Sequence, residues 1–280
     1  MHETAENSAP PAPINPVAQA LVETAQCLRF YTRLPVPALP WEADPHALPD
    51  FSRMTRMLPL AGLVVGCVGA LAFALPFLLG LGSFIAATIA IAALTLATGA
   101  FHEDGLADTF DAFGGGSTRE RKLEIMKDSR IGTFGGAALM LGLILRIALL
   151  AALADALGLA ATMAALVAIA ALSRTFALLP LTLLEPARLD GASAAVGRPS
   201  LATFATACVI AVTASLAIAW PAGHGLAAIA LAVVLGFGAC WVMMRWSRAS
   251  IGGQTGDIAG AAQQFAEVAA LLGLLILAPS

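Results

Sequence analysis

The chain has 280 residues, 59% of them hydrophobic and only 12% charged, with a mean hydropathy of +0.85. A soluble domain usually carries about a quarter charged residues and under half apolar ones, so soluble globular, disordered and collagen-like classes are excluded. With 15 Lys+Arg against 18 Asp+Glu and a net charge of -3, no nucleic-acid partner is expected, which leaves an all-α, polytopic membrane helix bundle.

Residues 1–13 are polar and then Pro/Ala-rich, an expected disordered lead to a single integral membrane domain over 14–280. Behind Pro16, residues Val17, Leu21, Thr24, Leu28 and Tyr31 recur at helical spacing, which predicts an amphipathic interfacial helix over 16–33. The first long apolar run starts near residue 57, too far along for a signal peptide, so the N-terminus is expected to be retained. From Met57 to Phe101 no residue is charged. At about 20 residues per crossing this stretch holds two helices, turning around Gly80 to Ser83. Two more are expected over 132–155 and 159–184, with Asp155 and Gly158 at the turn. The run 201–244 is split by Pro221, Gly223, His224 and Gly225, and a last helix falls over 264–278. The count is about seven spans. Four cysteines without motif spacing read as small hydrophobes, neither a disulfide framework nor a zinc site.

With the N-terminus inside, 13 of the 15 basic residues fall on one side of this topology. The remaining two, Arg146 and Arg174, lie within helices. The expected location is the bacterial cytoplasmic (inner) membrane, with the site on the cytoplasmic face among the loops 102–131, 185–200 and 245–260.

Chemistry concentrates after Phe101. FHEDGLADTFDAF places Asp104, Asp108 and Asp111 at i, i+4 and i+7, within about 60° of one another on a helix face. Like charges so placed repel, and more so beside hydrocarbon. A hard divalent cation relieves that repulsion, and oxygen ligands without His or Cys favour Mg²⁺, with Mn²⁺ as the alternative. A solvated acidic helix end is the bland reading of the same residues. Gly114, Gly115 and Gly116 form a turn, Ser117 and Glu120 match a capping box, and a charged helix is expected over Arg119 to Arg130. Lys127 and Arg130 face one way on it, suited to an anion such as a diphosphate. Arg146 and Arg174 are costly inside a membrane and lie close enough to the loop face to line a cavity opening there. The loop GGQTGD, 252–257, offers Asp257 as a further ligand or as part of a mobile lid, with an ordinary turn as the equal alternative.

These residues resemble the cobalamin synthase family, the adenosylcobinamide-GDP ribazoletransferases. The likeness rests on TRLPVP at 32–37, PLAG at 59–62, HEDGLADTFDAF from His102, LEIMKDSRIGTFG over 123–135 and GGQTGD at 252–257. Ala112 stands where the family usually has Gly, and Glu103 where an apolar residue is frequent. The resemblance implies a phosphoryl transfer in which a ribose hydroxyl of α-ribazole, or of its 5′-phosphate, displaces GMP from a corrinoid nucleotide. It implies a metal on Asp104, Asp108 and Asp111, and Lys127, Arg130 and Arg33 on the diphosphate. Asp111 or Asp128 would be the base, a choice the sequence leaves open. Membrane lipid and a further copy of the chain are the other partner classes. Other Mg²⁺ transferases of diphosphates, UbiA-like or CDP-alcohol enzymes, are the alternative: the latter need Ala-Arg where Ala107-Asp108 stands, the former a second aspartate-rich helix. A transporter would place charge at mid-membrane.

Overall fold

The computed structural model describes residues 15–42, 44–45, 50–188 and 196–278; the lead over 1–13 lies outside them. Among the described residues the structure is helical, with no β-strand. Apolar composition dictates this, because a backbone polar group in hydrocarbon has no water to bond and a helix satisfies its own.

Helix α1 (Pro16–Tyr31) is capped by the Asn15 side chain, which accepts from the Ala18 N–H at 2.9 Å, with Pro16 in the first turn. Val17 and Leu21 stay exposed, while Val22, Cys27, Leu28 and Tyr31 turn inward. Buried Glu23 accepts from Arg56 Nε at 2.6 Å and Nη2 at 2.7 Å, clamping α1 to the first span. That span comprises α2 (Phe51–Met54), a 3₁₀ turn over 55–57, and α3 (Leu58–Leu78).

Five helical stretches are long and apolar enough to cross a membrane: Phe51–Leu78, Thr133–Leu183, Leu201–Ala219, Leu226–Ile251 and Gly256–Ile276. A sixth exists if α4 (Ser83–Thr98) and α5 (Phe101–Gly115), bent by 89°, form one broken span. The expected seven is not confirmed, because α4 and α5 are short and sharply bent against each other. Helix α4 has 16 residues, short of the ~20 needed, and the chain then turns sharply at Gly99 and Ala100, both with positive φ. The helices expected over 132–155 and 159–184 form one element, α7 (Thr133–Phe176), interrupted at Gly158 (φ 77°, ψ -172°) and continued by α8 (Leu178–Leu183). Gly158 reverses the chain, since Arg146 before it and Ser173 after it bond to Glu267 and Gln263, one turn apart on the Gly256–Ile276 helix; Asp155 stays helical and accepts from Ser83 Oγ at 2.6 Å on the opposite face. His224, beside Ala161 there, is a buried turn residue.

Helices α9 (Leu201–Ala219), α10 (Leu226–Ile251) and α11 (Gly256–Ile276) complete the bundle. The loop expected over 245–260 shrinks to 252–255, so Arg248 lies in the last turn of α10. Water does not drive helices together in lipid; close backbone approach does. A Cβ on Gly66 would stand 2.5 Å from Val167 Cα, and one on Gly273 2.7 Å from Ala232 Cα, so small residues bring α3 onto α7 and α11 onto α10.

At one end the three loop regions meet. Arg119 donates to the Ile251 carbonyl at 2.8 Å and the Ala187 carbonyl at 2.7 Å. The Ala187 N–H donates to the Gln254 carbonyl at 2.8 Å, and the Gln254 N–H to Glu185 at 2.9 Å.

Candidate active site

The bend at Gly99 and Ala100 lays α5 across the first turn of α11. Gly105 makes that crossing: a Cβ there would stand 2.8 Å from the Asp257 carbonyl oxygen and 3.2 Å from Gly260 Cα. The bend itself is covered by Arg33, whose N–H donates to the Ala97 carbonyl at 2.7 Å and whose exposed side chain packs over Gly99.

Asp257 sits at the α11 N-terminus, where Thr255 Oγ1 caps the Ile258 N–H at 3.3 Å and donates to Asp257 Oδ2 at 3.1 Å. An acidic side chain is favoured there by the unpaired N–H groups of the first turn. Asp104 is exposed and Asp108 half-buried on the facing surface of α5. Asp108 lies within electrostatic reach of Asp104, Asp257 and Asp111, opposed by Arg188. Arg188 Nη2 contacts Asp257 Oδ2 at 3.5 Å, while its buried Nη1 has no hydrogen-bond partner among the described residues. A guanidinium with a spare N–H beside carboxylates is a ready contact for a phosphate oxygen.

The chemistry of this donor set fits a hard divalent cation. Among the described residues no group of three His, Cys, Asp or Glu converges closely enough to hold an ion alone. Mg²⁺ commonly takes one or two carboxylates and completes its shell with water and substrate phosphate, which is the arrangement Asp104, Asp108 and Asp257 offer.

The structure gives several of the expected site residues other engagements. Asp111 was expected to share the metal or act as the base. Its carboxylate is buried and committed to the start of α7, accepting from the Gly132 N–H at 2.6 Å and the Gly135 N–H at 2.8 Å. No side chain fits at these glycines, since a Cβ on Gly132 would stand 2.5 Å from Asp111 Oδ1. Asp111 is thus the anchor that satisfies orphan N–H groups of the long helix. Asp128, the other candidate base, forms an exposed ion pair with Arg130 at 2.6 Å, which holds its carboxyl well down, at about 2. So weak a base suits proton abstraction poorly. Arg130 lines an open groove of about 430 Å³ together with Asp111, Gly115 and Ile125, its guanidinium shared with Asp128. The charged helix ends earlier than expected: α6 (Arg119–Ile125) is capped by Thr118, one residue after the predicted Ser117, and Lys127 is exposed in the turn that follows.

Arg146 is enclosed by side-chain partners, and Arg174 reaches only a small crevice of about 20 Å³. Arg146, 2% exposed, donates to Glu103 Oε1 at 2.8 Å, Glu267 Oε1 at 2.9 Å and Gln264 Oε1 at 3.1 Å. Gln263 extends the network to Ser173 Oγ at 3.0 Å and Glu267 Oε2 at 2.7 Å. A charge buried in a low dielectric requires such partners. Arg174 is buried too, donating to the Ala170 carbonyl at 3.1 Å, with Nε unpartnered beside the crevice floored by His102. Glu103 belongs to this network and not to the carboxylate group on the site face.

Reading the sequence missed Arg188, Gln254 and Glu267. The signal for Glu267 was present, as Gln263, Gln264 and Glu267 are polar residues inside an otherwise apolar span. Arg188 lies in a loop where nothing local sets it apart.

The fold and this site define a polytopic α-helical membrane protein with a carboxylate and arginine centre built at one end of the bundle. The chain belongs to the cobalamin-5-phosphate synthase family, whose sequence profile matches residues 23–275. It is 49% identical over 266 residues to an adenosylcobinamide-GDP ribazoletransferase of Azorhizobium caulinodans, covering 93% of this chain and 98% of the relative. Proteins of the same description from Xanthobacter autotrophicus and Rhizobium etli are 45% and 42% identical, covering 93% and 90% of this chain and 97% and 96% of theirs. No solved structure matches the chain.

Proposed function

We propose that this protein performs the last step of nucleotide-loop assembly at the face where α5 crosses α11. The family joins adenosylcobinamide-GDP and ribazole, the reaction named for the relatives above. The ribose 3′-hydroxyl of α-ribazole, or of its 5′-phosphate, attacks the phosphate attached to cobinamide. The bond from that phosphate to GMP breaks, GMP leaves, and adenosylcobalamin or its 5′-phosphate forms.

The observation that carries this reading is the facing of Asp104 and Asp108 on α5 with Asp257 on α11, beside the unsatisfied Nη1 of Arg188. Phosphoryl transfer needs positioning and neutralisation of charge more than covalent help from the protein. Asp104 and Asp108, with Asp257 opposite, would hold Mg²⁺ or Mn²⁺, whose chemistry there is to neutralise diphosphate oxygens. Arg188 binds a non-bridging oxygen through its spare N–H. Arg130, Lys127 and Arg33 stand around the same face and attract the anionic substrate. Mg²⁺ would need only one or two of the three carboxylates Asp104, Asp108 and Asp257, and one left off the metal takes the proton of the attacking hydroxyl, Asp111 and Asp128 being engaged elsewhere.

The loop face is read as cytoplasmic, and the membrane as the bacterial inner membrane, because 13 of 15 basic residues fall on that side. Lipid surrounds the exposed apolar faces marked by Leu71, Leu75, Leu96 and Met140. Purified protein in detergent, given adenosylcobinamide-GDP, α-ribazole and Mg²⁺, tests the function. GMP release is expected; its absence, with both substrates shown to bind, overturns the reading.

A further inference from the structure

Beside the carboxylates, on the other side of Gly256, lies a second cavity of about 110 Å³. Its walls are aromatic. Phe30, Tyr31, Phe51 and Phe101 pack mainly edge to face, with Phe30 centred 4.8 Å from Tyr31 and 4.9 Å from Phe51, and Tyr31 centred 5.6 Å from Phe101. Leu181 adds to the apolar lining. The cavity's polar side chains are Tyr31, Arg198 and Gln254; Gln254 is 1% exposed, and among the described residues its Nε2 and Oε1 both lack a hydrogen-bond partner. Arg198 also lines the cavity, but its guanidinium is taken by Glu185 and the Thr182 carbonyl.

A buried amide with neither donor nor acceptor met is costly, and the chain could avoid that cost with a Leu at this position. The Gln254 backbone already makes the hydrogen bonds that hold the loop, to Glu185 and Ala187, so the side chain is not needed for local structure. It is kept in an aromatic-walled cavity with hydrogen-bonding capacity to spare, as a site for a flat ring with few polar atoms demands.

We infer that this cavity is the subsite for the bicyclic base of the attacking nucleoside, with the Gln254 amide as its hydrogen-bonding contact. The inference rests on the function proposed above. The benzimidazole ring of α-ribazole has one free ring nitrogen, an acceptor, which the Nε2–H₂ group satisfies; Oε1 is left for a hydroxyl of the attached ribose. A guanine would bring five polar edge groups into walls that offer one amide and the Tyr31 hydroxyl, leaving most of them unpaired. The placement also suits the reaction, since Gly256 lines the cavity and Asp257, the next residue, belongs to the carboxylate group. Similarly Phe101 lines the cavity one helical turn before Asp104. A base held here puts its ribose toward the phosphate.

The test is equilibrium dialysis of α-ribazole against the full-length protein in detergent, for wild type, Gln254→Leu, and Val196→Trp, which fills the cavity from its rim. Each variant is checked by thermal melting. Gln254→Leu should melt at or above the wild-type temperature and yet bind α-ribazole at least tenfold more weakly, and Val196→Trp should also bind it at least tenfold more weakly. In turnover, KM for α-ribazole should rise by the same factor while KM for adenosylcobinamide-GDP stays within twofold. Unchanged α-ribazole affinity in both variants overturns the inference, as does an equal loss for GMP and α-ribazole. If wild type releases no GMP but binds α-ribazole through Gln254, the proposed reaction fails while the subsite stands.

Discussion

Gly105 and Asp257 meet with no space for a side chain between them: a Cβ on Gly105 would stand 2.8 Å from the Asp257 carbonyl oxygen. This contact brings the acidic face of α5 to the start of α11, and it is set by the bend at Gly99 and Ala100 that precedes it. The site is therefore a product of backbone approach before it is a product of side-chain chemistry.

Gly105→Ala should separate the two helices. The obstructing atoms are backbone, so the strain is not relieved by a rotamer change, and an overpacking cost of about 1–3 kcal/mol is expected. Thermal melting should report the loss of stability, and turnover should fall at least tenfold in protein that remains folded. Wild-type turnover would show that the approach of α5 to Asp257 is immaterial.

Arg146 should be a requirement of stability. Arg146→Met leaves Glu103 and Glu267 buried without their shared cation, which costs about 3–5 kcal/mol. Neutralising both partners as well, in Arg146→Met with Glu103→Gln and Glu267→Gln, should recover much of that loss. The melting temperatures of the single and triple variants provide the check. A triple variant no more stable than the single one would contradict the ion-pair account.

Asp111→Asn distinguishes an anchor from a ligand. The amide oxygen can accept from only one of the Gly132 and Gly135 N–H groups as the carboxylate now does, so a stability loss of about 1–3 kcal/mol is expected. Turnover measured well below the melting temperature should remain within tenfold of wild type. A loss as deep as that of an α5 carboxylate variant, with melting unchanged, would return Asp111 to the catalytic group.

The pairing with Arg130 sets the pH behaviour of Asp128. Its pKa is lowered from 3.8 to about 2, so the pairing is in place above the ordinary carboxyl value and is lost only as pH falls through about 2. The Asp128–Arg130 pair should therefore stay charged on both sides between pH 5 and 9. Asp128→Asn should leave the acid limb of the kcat profile where it is; a displaced limb would reinstate Asp128 as the base.

How far the sequence could be read follows from the kind of information each feature carries. The apolar runs revealed the helices, and the loops' basic residues revealed which segments share an end, because both follow from solvation of the residue itself. The Asp104, Asp108, Asp111 stripe was legible from helical periodicity. Periodicity cannot tell which carboxylate another segment has claimed, and so the bonds of Asp111 were invisible: its partners, Gly132 and Gly135, are more than twenty positions away. Arg146 was visible as an expensive charge, but its partner Glu267 is 121 residues distant. Gly158 was taken correctly as a turn, yet it breaks the helix by a single left-handed residue without a loop. Gln254 was visible only as part of GGQTGD, since its surroundings are aromatic residues from α1, α2 and α5 that only the fold assembles.

The most direct test of the central claim is the rate of GMP release by Asp108→Asn, at saturating adenosylcobinamide-GDP, α-ribazole and Mg²⁺, in protein whose melting matches wild type. The account predicts a fall of at least a hundredfold, with α-ribazole still bound. A rate within threefold of wild type would contradict it, and would remove the crossing of α5 and α11 from the chemistry.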